Sequence, residues 1–227
     1  MGRVFFLRHL ETANNAKQLI CGRSPAQPIA KEEIVFSLHS VDLIYCSDAL
    51  RCRQTIDCYL KTHPKVPVQY TKLLYERDMG IWEGELKSSI VKSNPELFVD
   101  GRFRLFSTPP SGESYVDFKN RAYAVLNLML KEKGNILICS HNQFLKMLLL
   151  ILSKTVITQE VWNSIDLPYG QILSLEELFY KNKKYIRRNP AYIQRAYYSE
   201  RDVLRRKKRL SVPQLADPNL RRHGTNL

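Results

Sequence analysis

Three short runs of uninterrupted apolar residues, Val4-Phe5-Phe6-Leu7, Leu43-Ile44-Tyr45-Cys46 and Ile136-Leu137-Ile138-Cys139, constrain this chain most. A strand with no polar alternation must be covered on both faces, which is the situation of a parallel sheet flanked by helices. Helical periodicity lies between and after these runs. Tyr115, Phe118, Ala122, Val125 and Met129 recur at three and four residues, as do Phe144, Met147, Leu148 and Ile151, so each segment is expected to lay one face on the sheet. Asp48 is expected to cap a helix running from Ala49 toward Leu60. The resulting fold class is α/β, a three-layer sandwich with a mostly parallel central sheet. With 227 residues, 44% of them hydrophobic, one large domain can bury a substantial core, and global disorder is ruled out.

The formal charge of +13 is unevenly placed. From Lys181 onward there are 14 Lys+Arg and three acids, a net +11, whereas the first 180 residues carry 21 against 19, a net +2. This divides the chain into a catalytic body, residues 1–189, and a basic extension, residues 190–227, expected to be partly disordered. Arg205-Arg206-Lys207-Lys208-Arg209 in that extension suits a polyanion: nucleic acid, anionic lipid or an acidic protein surface. The longest apolar run, Met147 to Leu152, is too short to cross a bilayer, so no transmembrane segment is expected. The first residues lack a secretory pattern, which makes a cytoplasmic location the expectation. Cys21, Cys46, Cys52, Cys58 and Cys139 are odd in number and follow no metal-ligand spacing, so reduced core thiols are expected.

The residues just beyond each apolar run point to chemistry. The first run ends in Arg8-His9, the second in Ser47-Asp48 with Arg51 a turn further on, and the third in Ser140-His141-Asn142. The carboxyl ends of the strands of an open α/β sheet line its ligand crevice, so these distant groups should converge there. Arg8, Arg51, His9 and His141 around one point suit a dianion, and the helix starting after His141 adds backbone N–H donors. The segment Glu76 to Gly84 supplies a carboxylate, with Glu76 and Glu83 both available. A neutral imidazole attacks phosphorus, guanidinium groups neutralise the equatorial oxygens, and a carboxylic acid protonates the departing alkoxide. The parts describe phosphoryl transfer through a phosphohistidine.

From about Val4 to Asn189 the chain also resembles the histidine phosphatases and their phosphoglycerate mutase-like relatives. The ordered blocks are Leu7-Arg8-His9-x-Glu11-Thr12 with Asn15; Cys21-Gly22-Arg23-Ser24 with Pro28; Ser47-Asp48-x-Leu50-Arg51-x-Arg53-Gln54-Thr55; Glu76 to Gly84; Pro110-x-Gly112-Glu113-Ser114 with Arg121; and Ser140-His141. The resemblance implies that His9 is the phosphorylated nucleophile, that Arg8, Arg51 and His141 hold the phosphoryl group with help from Asn15, and that Glu76 is the proton donor. It implies no metal and no cofactor. It assigns substrate contacts to Gly22, Arg23 and Ser24, to Gly112, Glu113 and Ser114, and to Asn142.

Leu10 and Asn142 stand where the family has glycine and are expected to crowd the phosphate pocket. The interval from Glu76 to His141 has no room for the long insertion of the mutase branch, which favours a hydrolase acting on a small phosphorylated metabolite. The alternatives are a mutase-type phosphotransferase, and a catalytically weak phosphate-ester-binding module recruited by its basic tail. Glu83 is expected to be structural, Trp82 to be packing, and His39 and His63 to be surface or loop residues. Arg222-His223-Gly224 copies the RHG signature more closely than Arg8-His9-Leu10, but no buried strand precedes it, so it receives no catalytic role.

Overall fold

A computed structural model describes residues 2–29 and 40–186. The stretch from Ala30 to Asp42, shorter than the helix that the family resemblance implies between the first two core strands, falls largely outside the described residues. So do His39, His223 and the whole basic extension.

In chain order the elements are β1 (Val4–Arg8), α1 (Ala13–Ala16), β2 (Leu43–Ser47), α2 (Leu50–Leu60), β3 (Val68–Thr71), α3 (Lys87–Ser93), β4 (Phe98–Val99), β5 (Arg102–Phe103), α4 (Tyr115–Met129), β6 (Ile136–Ser140), α5 (Asn142–Leu152), α6 (Gln159–Ser164), β7 (Ile172–Ser174) and α7 (Leu175–Lys181). Five strands form the central sheet in the order β3-β2-β6-β1-β7. All its pairings are parallel except β1 with the edge strand β7. The three apolar runs are therefore its three central strands, as continuous burial on both faces requires.

The connections dictate the layering. The chain moves outward from β2 to β3 through α2, then back past β2 to β6 through α4. Right-handed crossovers in opposite directions put α2 and α4 on opposite faces. On one face Phe5, Leu7, Ile44, Cys46, Leu137 and Cys139 pack with Cys52, Ile56 and Tyr59 of α2. Alternate residues such as Phe6 and Ile138 point the other way and are equally buried.

Three local expectations need correction. Asp48 does not cap α2: the N-cap is Ala49, without a side-chain cap bond, and the Asp48 carboxylate instead accepts from Arg53 Nε at 2.8 Å. The helix after His141 does not lay just one face on the sheet, because every residue from Phe144 to Leu152 is buried. Of the five cysteines, all free thiols, Cys46, Cys52 and Cys139 are in the core, whereas Cys21 and Cys58 are half-buried. Trp82 packs as expected, against Phe98 and Phe103 with ring centroids 5.9 and 5.5 Å away. His63 stacks on Tyr59 at the end of α2, remote from the strand ends.

Candidate functional site

Strand register brings the two histidines together. Arg8 pairs with Ser140, so the next residues of β1 and β6 emerge side by side, with the His9 and His141 rings 5.2 Å apart. His9 is buried, and its Nδ1 lies 2.6 Å from the Leu10 carbonyl oxygen. A carbonyl only accepts, so Nδ1 carries the proton and Nε2 keeps its lone pair. Burial, reinforced by the nearby Arg51 and Arg8 charges, holds the His9 pKa well below 6.5. The ring is neutral and oriented, which is what a nitrogen nucleophile requires.

His141 is fully buried, and both ring nitrogens are engaged. Arg51 Nε–H donates to Nδ1 at 3.1 Å, so Nε2 bears the proton and donates to Ser47 Oγ at 2.8 Å. Burial and the Arg51 charge push its pKa well below 6.5. Arg51 also donates from Nη1 to the Ser24 carbonyl at 2.9 Å and from Nη2 to the Gly22 carbonyl at 2.6 Å. Arg51 thus braces the loop from Gly22 to Ser24 and fixes the His141 ring. His141 reaches a phosphoryl oxygen only by sharing or giving up one of its bonds, whereas Arg51, with three of its five N–H donors engaged, keeps one on each Nη to offer.

Arg8 is less committed. Its Nη1 donates to the Leu167 carbonyl at 2.8 Å, its guanidinium carbon lies 3.6 Å from the centre of the Tyr169 ring, and Nε is buried with no partner among the described residues. A buried, unpartnered cationic N–H on a residue that shares a cavity wall with the His9 imidazole is a donor suited to an anion bound there.

Glu76 joins this group through the start of α5. Its Oε1 accepts from Arg77 N at 3.0 Å and Phe144 N at 3.2 Å, and its Oε2 from Gln143 N at 3.1 Å. The residue at the N-cap position of α5, His141, makes no side-chain cap bond. Glu76 therefore caps the helix from a distance. This alters the expectation that the first N–H groups after His141 are offered to a phosphate: two of them face Glu76. Glu83, the other carboxylate of that segment, accepts from Arg23 N at 2.7 Å and Met79 N at 3.0 Å, which is a loop-bracing role.

A cavity of about 680 Å3 opens over these groups, with Arg8, His9, Asn15, Arg51, Glu76 and Asn142 in its wall. Gly22 lines it too; its φ of +43° and the Glu83 carboxylate, 2.0 Å from where a Cβ would sit, leave room only for glycine. The other expected substrate contacts are not in the wall. Arg23 pairs with Asp78 and Glu113, both at 3.2 Å, and the Ser24 hydroxyl donates to the Cys21 carbonyl. Glu113 receives Arg121 through Nε at 2.8 Å and Nη2 at 2.6 Å; Ser114 caps α4; and the Gly112 amide closes a turn on Pro109. The two expected substrate loops are thus tied to each other by the Arg23–Glu113–Arg121 ion pairs. Leu10 does not crowd the cavity: its amide donates to Thr55 Oγ1 at 3.0 Å, and its side chain abuts Gly170.

Sequence reasoning missed Lys146, Lys87 and Arg102, which also line the cavity. Lys146 had a signal, as the lone charge in the apolar run Phe144 to Leu152 and four residues after Asn142. Arg102 sits on a two-residue strand that no periodicity announces. Among the described residues no group of three or more His, Cys, Asp or Glu side chains is arranged to hold a metal ion, and no helix is long and apolar enough to cross a membrane.

The architecture and the site define an α/β protein with a cationic crevice at the strand ends, built around two imidazoles and two arginines. Residues 4–186 match the family model of the histidine phosphatase superfamily (branch 1), and the chain belongs to that family. Among its relatives, a probable phosphatase of Schizosaccharomyces pombe is 32% identical over 119 residues, 46% of this chain and 56% of that protein. A broad-specificity phosphatase of Saccharomyces cerevisiae is 30% identical over 164 residues, 65% of this chain and 68% of that protein. The chain thus spans about half to two thirds of these relatives. The solved structure of a putative alpha-ribazole-5'-P phosphatase from Escherichia coli shares the fold, with a TM-score of 0.63 and 24% identity over 74% of this chain and 87% of that one.

Proposed function

We propose that the chain is a metal-independent phosphomonoesterase acting on a small phosphorylated metabolite through a phosphohistidine at His9. The observation that carries this reading is the His9 ring: buried, neutral, with Nδ1–H held by the Leu10 carbonyl and the Nε2 lone pair left free beside Arg8. The phosphatase names of the relatives from both yeasts support it.

In the first step His9 Nε2 forms a bond to phosphorus as the bond to the ester oxygen breaks. The Arg8 Nε–H donates to a phosphoryl oxygen, and Glu76 in its acid form gives its proton to the departing alkoxide. In the second step Glu76 takes a proton from water, the water oxygen bonds to phosphorus, and His9 leaves as neutral imidazole with inorganic phosphate as product. The Arg51 N–H donors not taken by Gly22, Ser24 and His141 serve a second phosphoryl oxygen, and His141, held between Arg51 and Ser47, keeps that guanidinium in place.

With nitrophenyl phosphate and excess chelator, turnover is expected and His9→Ala should abolish it. Quenched wild-type enzyme should carry acid-labile, base-stable phosphate. Turnover that needs added metal, or that survives His9→Ala, contradicts the reading.

A further inference from the structure

The cavity holds more positive charge than one phosphoryl group requires. Arg8, Arg51, Lys87, Arg102 and Lys146 line it against Glu76 and Asp166, within a body whose first 180 residues are nearly neutral. Arg8 and Arg51 stand with His9. The other three come from elements that reach the cavity from elsewhere: Lys87 from the start of α3, Arg102 from β5 and Lys146 from α5.

Lys146 and Arg102 converge. The Lys146 ammonium donates to the Trp162 carbonyl at 3.4 Å, and an Arg102 guanidinium nitrogen donates to the carbonyl of the next residue, Asn163. Consecutive carbonyls hold the two cations as neighbours, although they come from segments more than forty positions apart. Lys146 is buried, and among the described residues that long contact is the one hydrogen bond its three donors make. Neither cation forms an ion pair with a carboxylate among those residues. Two like charges gathered in a half-enclosed cavity repel one another unless an anion joins them. The position relative to the reacting group also fits. Lys146 lies one helical turn, roughly 5–6 Å, beyond Asn142 on the same face of α5, and both line the cavity. Phe98 and Phe103 supply apolar wall to the same cavity, suited to a short carbon skeleton.

We propose that Lys146 and Arg102, with Lys87 at the rim, form a second anion subsite, so that the substrate is a small phosphomonoester carrying a further phosphoryl or carboxylate group. This rests on the phosphomonoesterase reading for its substrate role. Burial and the neighbouring Arg102 charge, opposed by Asp166 and Glu76 and assisted by Arg8, bring the Lys146 pKa down to about 8. The ammonium is charged below that value, so any preference due to it should fade as pH rises through it.

The test compares propanediol, butanediol and hexanediol bisphosphates with the matching hydroxyalkyl monophosphates, in the wild type and in Lys146→Met and Arg102→Gln. In the wild type kcat/KM is expected to favour the bisphosphate of best-fitting length by roughly ten- to a hundredfold, the worth of one or two charge-assisted hydrogen bonds. Each variant should lose most of that preference, chiefly through KM, and keep its monophosphate turnover. Equal rates for the two series in the wild type, or variants that slow both series alike, overturn the subsite. Calorimetric binding of the corresponding alkane bisphosphonates and monophosphonates reads the subsite without turnover. If no ester is hydrolysed yet bisphosphonates bind more tightly in a Lys146-dependent way, the catalytic reading fails and the subsite stands. Equal binding of both phosphonate series overturns the subsite whatever the activity.

Discussion

Glu76 has two tasks in this structure, and one substitution separates them. Its two oxygens meet three backbone N–H donors: Arg77 and Phe144 at Oε1, and Gln143 at Oε2. In Glu76→Gln one oxygen becomes an NH2 group. Placed at Oε1 the amide nitrogen would face two donors, so the side chain should settle with nitrogen at Oε2, opposing the Gln143 N–H alone. One hydrogen bond is lost and two donors face each other, at a cost of about 1–3 kcal/mol. For a domain of this size each kcal/mol lowers the melting temperature by about 2–4 °C, so a drop of roughly 2–12 °C is expected. The amide hydrogens of Gln143 and Phe144 should exchange faster as the first turn of α5 loosens. The catalytic loss is of another kind, because glutamine cannot protonate a leaving group. At a temperature where both proteins are folded, hydrolysis of an alkyl phosphate should fall by about 10²–10⁴, whereas nitrophenyl phosphate, whose leaving group needs no proton, should be far less affected. A variant with the wild-type melting temperature would refute the cap. Equal slowing of both esters would refute the acid.

The geometry yields two more expected outcomes. Tyr169→Leu removes the ring on which Arg8 lies at 3.6 Å, worth about 0.5–2 kcal/mol, so kcat/KM for nitrophenyl phosphate should fall by roughly 2- to 30-fold. Tyr169→Phe, which keeps the ring, should restore it, and failure of that rescue would remove the stacking argument. His9 and His141 have folded-state pKa values depressed below 6.5 by burial first and then by the Arg51 charge. An unfolded chain therefore binds more protons than the folded one just below that value, so stability is fully present above about pH 6.5 and declines as pH falls through it. Denaturant midpoints across this range should show the decline, and His9→Gln should diminish it; a midpoint insensitive to pH between about 7 and 5 contradicts the neutral buried rings.

The sheet was legible because its physics is one-dimensional: four-residue runs such as Ile136 to Cys139 are too short for a buried helix like α5 and suit strands covered on both faces, and parallel pairing puts all their ends on one edge. That alone carries Arg8, His9 and His141 together, since the register of Arg8 with Ser140 leaves the histidines adjacent. The loops were less legible because the same residue types serve several ends. Ser114 suits a substrate hydroxyl contact and equally a helix N-cap, and it caps α4. Glu113 suits a substrate and equally a forked arginine, and Arg121 takes it. Nothing in the chain order says that Arg51 will find the Gly22 and Ser24 carbonyls, or that Glu76 will reach across 67 positions to the first turn of α5.

Charge gives the sharpest contrast between sequence and structure. The +13 belongs almost wholly to the last 47 residues, and a near-neutral body gives no hint of electrostatic specialisation. Yet five cations against two carboxylates face one cavity of about 680 Å3. Long-range net charge is screened within about 8–10 Å at physiological salt, whereas buried groups are screened far less. Lys146, buried in the cavity wall, is therefore little screened from an anion bound inside it. Added salt should accordingly leave the part of the distinction between bis-anionic and mono-anionic esters that Lys146 supplies largely in place.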